Sequence, residues 1–119
     1  MSERWDDTQP IYQQLRDRTV ARILADELSE GQALPSVRQL AVDLQINPIT
    51  VSRAYQLLVD EDLVEKRRGL GMFVKTGARD QLLSSEREQF LHQEWPRVLE
   101  RIEQLGISIQ ELLKQSESS

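Results

Sequence analysis

The sequence predicts a mainly α-helical fold with a small β-hairpin wing, a winged helix-turn-helix followed by a short helical dimerisation tail. Three observations lead there. Two capped helical segments flank a tight turn, a glycine-containing hairpin follows them, and helical apolar spacing resumes beyond it. The expected division is residues 8–76 for the winged-helix domain and 77–119 for the dimerisation region.

Pro10 suits the first turn of a helix, where its missing N–H is not needed. That helix is predicted to run through Ile11, Leu15, Ile23, Leu24 and Leu28, with Gly31 just beyond its end. Leu34-Pro35 reads as an extended connector, since the residue before proline avoids the helical region. A second helix opens at Ser36, which has capping-box spacing to Gln39. Val37, Leu40, Ala41 and Leu44 form its apolar stripe. After the turn Gln45-Ile46-Asn47, Asn47 is a good N-cap and Pro48 a good first residue for a third helix. Its buried stripe is Val51, Ala54, Tyr55 and Leu58.

Residues 63–75 hold two short β-prone runs around a glycine-containing tip, a hairpin pattern. From Ala78 the spacing is helical again, interrupted by Trp95-Pro96; Pro96 either kinks one long helix or starts another. Gly106 ends that stretch. Ser108 and Glu111 make a second capping-box pair ahead of a last short helix, and residues 116–119 are expected to fray.

Composition removes several function classes. With 39% hydrophobic and 29% charged residues, the balance is that of a globular protein. Cysteine is absent, which excludes disulfides, thiolate metal sites and a cysteine nucleophile. His92 is the only histidine, so no metal site and no cofactor are expected. No nucleophile is paired with a base, so an enzyme is not expected. No apolar run approaches the roughly 20 residues that cross a bilayer, and Met1 to Asp7 lack the pattern of a secretion signal. A cytoplasmic protein without a membrane partner is the expectation.

The net charge of −5 counts against nucleic acid, but its distribution does not. Residues 36–75 carry six basic and five acidic side chains, or +1, whereas residues 77–119 carry five and eight, or −3. Negative charge gathers in the tail.

Opposite its buried stripe, the third helix presents Ile49, Arg53 and Gln56, with Thr50 and Ser52 on the flanks. Arg and Gln hydrogen-bond base edges, and an exposed Ile can touch a thymine methyl. The helix N-terminus at Asn47 and Pro48 is expected to offer backbone donors to a phosphate. Ser36 and Arg38 open the second helix close to the turn. In the hairpin, Lys66, Arg67 and Arg68 stand beside Gly69 and Gly71, which suits a narrow groove between two phosphate backbones. Each element also has a plainer reading. Ser36 and Asn47 are caps in any case, Arg53 could pair with an acidic neighbour, and the basic hairpin end could guard against edge pairing.

Leu34-Pro35-Ser36-Val37-Arg38-Gln39-Leu40-Ala41, Asn47-Pro48-Ile49-Thr50-Val51-Ser52-Arg53-Ala54-Tyr55 and Arg68-Gly69-Leu70-Gly71-Met72-Phe73-Val74 resemble the signature blocks of the GntR family of bacterial regulators. Pro10 to Leu15 resembles that family's first helix, and the short tail resembles its YtrA-like subgroup. The resemblance implies operator contact by Arg38, the start of the third helix and Gly69, and transporter operons as targets. Ser52 stands where many members carry arginine, and Pro48 at another commonly basic position. The operator sequence is therefore not carried over.

In the tail, Leu83, Phe90, Leu91, Trp95, Leu99, Ile102 and Leu105 are more apolar surface than one small domain needs, which predicts a homodimer. The expected function is sequence-specific regulation, by repression, on double-stranded palindromic operator DNA. The third helix (about 48–60) would enter the major groove and the wing (about 66–72) the minor groove. The alternative is a winged-helix protein–protein module without specific DNA binding. Any small-molecule effector is unspecified.

Overall fold

The computed structural model describes residues 5–117. Its elements are α1 (Ile11–Leu24), α2 (Val37–Leu44), α3 (Pro48–Asp60), β1 (Val64–Arg67), β2 (Gly71–Val74), α4 (Ala78–Gln89), a π-helical turn (Phe90–Glu94), α5 (Trp95–Leu105) and α6 (Ile109–Glu117). The chain divides into two units, one up to Leu83 and one from Ser84 onward. This is the predicted class, mainly helical with a two-stranded antiparallel hairpin.

The first unit is built around α3. Val51, Ala54, Tyr55 and Leu58, the predicted stripe, are all buried. They meet Leu15, Val20 and Ile23 of α1, Ala41 of α2, Val64 and Val74 of the hairpin, and Ala78 and Leu82 of α4. Val37, Leu40 and Leu44 pack half-buried against this core. Thr19, a buried polar residue of α1, satisfies its hydroxyl by donating to the Leu15 carbonyl at 2.8 Å.

Both predicted caps that set the helix-turn-helix are made. The Ser36 hydroxyl accepts from the Gln39 N–H at 3.1 Å, and the Asn47 side-chain oxygen accepts from the Ile49 N–H at 2.9 Å. Each satisfies a backbone donor that a helix start leaves orphaned.

One helix end departs from expectation. α1 stops at Leu24 rather than continuing to Leu28, because Asp26 takes a left-handed conformation with φ 61°. The Glu27 N–H then donates to the Arg22 carbonyl at 2.9 Å and the Asp26 N–H to that of Ile23 at 3.1 Å. These two bonds make a Schellman motif, the ending usually assigned to glycine. Leu28 reaches the core from the following connector, 3% exposed. α2 and α3 end the same way, with Gln45 (φ 56°) and Asp62 (φ 65°) at the left-handed position.

The connector does more than link helices. Gly31 donates to the Val74 carbonyl at 2.7 Å, Val74 to that of Gln32 at 2.9 Å, and Leu34 to that of Met72 at 2.8 Å. Residues 31–34 thus line the open side of β2, while β1 pairs on its other side from Val64↔Val74 to Arg67↔Gly71. The wing is thereby anchored to the segment that leads into α2.

Tyr55 ties the same region to α3. Its phenol donates to the Pro35 carbonyl at 2.7 Å, and burial pushes its pKa up to about 12, partly opposed by the charge of Arg22. A raised folded-state value favours the protonated phenol, so this contribution is complete below the unfolded pKa of about 10. Stability should therefore fall as pH rises from about 10 to about 12, and Tyr55→Phe should remove that slope. Denaturant titrations of both proteins across this window check it; equal slopes would show that Tyr55 is not the group responsible.

In the second unit no residue from 84 to 117 is buried. Pro96 neither stops the helix nor starts a separate one. The chain stays helical from Ala78 to Leu105, and the turn just before the proline widens to π geometry, with the Trp95 N–H donating to the Phe90 carbonyl. That widening relieves the clash between a proline ring and the carbonyl four residues earlier. Gly106 ends α5 at φ 67°. Ser108 caps α6 by accepting from the Glu111 N–H at 3.1 Å. α6 continues to Glu117, so Ser116 and Glu117 are helical rather than frayed, while Ser118 and Ser119 lie outside the described residues. Among the described residues, no helix is long and apolar enough to cross a membrane.

Candidate nucleic-acid interface

α2 and α3 are joined by the three residues Gln45 to Asn47, and α3 turns one face outward. Ile49 is 68% exposed, and Ser52, Arg53 and Gln56 are exposed beside it, with Thr50 half-buried. Ser36, Ser52, Gln56 and Gly71 come together with Val37, Lys66 and Met72 around an open groove of about 370 Å³. The start of α2, the middle of α3 and the wing thus share one concave surface. Arg38 is exposed on the first turn of α2 and forms no ion pair among the described residues.

The N-terminus of α3 offers less than the sequence suggested. Pro48 has no N–H, the Ile49 N–H goes to the Asn47 side chain, and the Thr50 N–H goes to the Asn47 carbonyl at 2.9 Å. The first-turn donors are therefore occupied, and a phosphate there would rely on side chains. The cap that stabilises the helix is what consumes them.

The wing tip is a turn across Arg67-Arg68-Gly69-Leu70, closed by the Leu70 N–H donating to the Arg67 carbonyl at 2.9 Å. Gly69, at φ 76°, supplies the positive φ that the third position of a type II turn requires. The two glycines do not leave the tip free of bulky side chains, since Leu70 stands between them 72% exposed.

The basic residues of the wing are not equivalent. Arg67 donates from Nε and Nη2 to the same Glu65 carboxylate oxygen, at 3.1 and 2.9 Å, and its Cζ lies 4.2 Å over the Phe73 ring. Its charge is offset locally. Lys66 and Arg68 form no ion pair among the described residues and carry the exposed charge. The signal was readable: on a strand, residues two apart share a face, so Glu65 and Arg67 were placed to meet.

On α3, the Arg53 guanidinium carbon lies 4.0 Å over the Tyr12 ring, and the Gln56 amide donates to the Asp60 carboxylate at 2.9 Å. At the far end of α3, Glu61 binds the guanidinium of Arg16, which holds that arginine's pKa above its ordinary value. Neither α1 contact was anticipated, because partners more than forty residues apart leave no periodic trace.

The predicted dimerisation residues divide between the units. Leu83 is half-buried in the first. In the second, Trp95, Leu99 and Ile102 are half-buried, while Phe90, Leu91 and Leu105 are 47, 55 and 54% exposed. Val98 of α5 and Ile109, Leu112 and Leu113 of α6 belong to the same exposed apolar set and were not among the predicted residues.

Two helices joined by a tight turn, the second turned outward beside a hairpin, define a winged helix-turn-helix, a DNA-binding class. The chain belongs to the gntR family of bacterial regulatory proteins, whose model matches residues 9–74, more than half of its length. It is 29% identical over 114 residues to YhcF, an uncharacterized HTH-type transcriptional regulator of Bacillus subtilis, covering 96% of this chain and 93% of that one. It is 36% identical over 77 residues to the HTH-type transcriptional repressor YtrA of the same organism, covering 65% of this chain and 59% of that protein. Among solved structures, a transcriptional regulator from Oenococcus oeni matches 99% of this chain and 95% of its own, with a TM-score of 0.76 at 28% identity. YtrA from Sulfolobus acidocaldarius, a GntR-family transcription factor, matches 72% of this chain and 90% of its own, with a TM-score of 0.57 at 34% identity. The chain is thus a DNA-binding transcriptional regulator with YtrA-type relatives, and not an enzyme.

Proposed function

We propose that this regulator represses transcription by occupying a palindromic operator as a homodimer, in the bacterial cytoplasm where that DNA lies. α3 reads bases in the major groove, chiefly through Arg53 and Gln56, and residues 66–72 of the wing enter the minor groove. The observation that carries this reading is the outward face of α3 standing beside a wing whose Lys66 and Arg68 are exposed and unpaired among the described residues. The repressor activity carried in the name of the relative YtrA favours repression over activation. Pairing of two copies is supported by the second unit, which leaves large apolar side chains on its surface.

Selection of bound duplexes from a random pool tests the proposal. An inverted repeat with half-sites about one helical turn apart, or a multiple of it, is the expected product. Affinity for the selected duplex should fall steeply with salt, and Arg68→Ala should flatten the log–log slope by about 0.9 for one lost phosphate contact. An unchanged slope would remove Arg68 from the interface. Failure to enrich any sequence, with weak salt-insensitive binding, would favour a protein–protein module instead.

A further inference from the structure

Among the described residues, three arginines lie over aromatic rings, and they differ in what their N–H edges do. Arg67 spends two of its donors on Glu65. Arg18, over Trp5, has further interactions. Arg53 differs: it lies 4.0 Å over Tyr12 and makes no ion pair or side-chain hydrogen bond among the described residues. A ring attracts a cation through its face, whereas a carboxylate would occupy the donors that bidentate recognition of a base needs. Tyr12 is itself held, half-buried against the core, so its ring is a fixed platform.

We infer that Tyr12 is a positioning residue for base readout: its ring holds the Arg53 guanidinium on the outward face of α3 with the N–H edges left open. A free arginine side chain must surrender several rotatable bonds on binding, and a guanidinium already stacked has surrendered part of that freedom. The contact also joins α1 to the recognition helix, so a residue outside the helix-turn-helix sets the aim of one within it. This rests on the proposal that Arg53 meets a base.

The test uses the full chain and the duplex selected by the wild-type protein, with single-base variants of that duplex. Tyr12→Leu should weaken binding to the selected duplex about three- to fivefold, from the strength of an exposed cation–π contact. It should narrow discrimination against one particular base substitution while leaving the salt slope unchanged. Tyr12→Phe, which keeps the ring face, should retain wild-type affinity and discrimination. In an Arg53→Ala background, Tyr12→Leu should cost nothing further, since the pair acts as one unit. Equal losses with and without Arg53, or tighter binding by Tyr12→Leu, would overturn the inference while leaving Arg53 as a contact. If Arg53→Ala alone binds like wild type, the base-reading role of Arg53 fails and this inference fails with it.

Discussion

Ile102→Asp is expected to turn the proposed dimer into monomers at micromolar concentration and to weaken operator binding about 10²- to 10⁴-fold. The second figure is the loss when two linked binding events become independent. Ile102 lies on the apolar stripe of α5, half-buried within one copy, next to the more exposed Val98 and Leu105. In a two-fold interface the same patch faces itself, so a single substitution places two carboxylates in one seam. Burying an unpaired charge costs several kcal/mol in real proteins, which is enough to separate a small interface. The DNA-binding unit should survive intact, because the buried residues of its core all lie between Leu15 and Leu82. Sedimentation measures the association, circular dichroism the retained helix, and duplex titration the affinity. A variant that stays dimeric would move the interface away from α5.

Leu58→Ala should destabilise the first unit by about 2–5 kcal/mol, a large part of the roughly 5–15 kcal/mol that holds a domain together. Leu58 is 0% exposed, on the face of α3 that packs into the core. Removing its branched carbons leaves a void that surrounding side chains fill only in part. Val42→Ala is the matched control, 68% exposed on α2, and should change stability by no more than about 0.5 kcal/mol. Denaturant midpoints at constant slope distinguish the two. Equal shifts would mean that the core is not organised around α3.

What the sequence made legible was local chemistry. Ser36, Asn47 and Ser108 each cap through a side-chain oxygen and a backbone N–H two or three residues on, a relation short enough to read along the chain. The stripe on α3 was equally plain, because a helix buried on one face repeats its apolar residues with a fixed period. The end of α1 differs from the sequence expectation for a physical reason. Gly31 looked like the terminator, yet Asp26 takes the left-handed position, which its short polar side chain tolerates. Strand pairing by residues 31–34 was invisible, since four residues are too few to show alternation and the partner lies some forty residues away. For the candidate site, the outward side chains of α3 were foreseeable from the helical period. Whether each is free to act was not, because that depends on neighbours such as Tyr12, Glu65 and Asp60, supplied by packing.

The widened turn ahead of Pro96 has a consequence for the phase of the helix that follows. In a regular α-helix, residues five apart point about 140° away from each other. Here Phe90 and Trp95 are five apart and their rings stack, with centroids 6.3 Å apart and planes 26° from parallel. The widened turn acts as an angular shim: it takes back the roughly 100° that one further residue would add, so Trp95 stands over Phe90 as a residue four ahead would in a regular helix. Excising one residue from Leu91–Glu94 would therefore restore regular α geometry and leave the stripe of Val98, Ile102 and Leu105 at its present azimuth, whereas closing the turn without a deletion would swing that stripe round by about 100°.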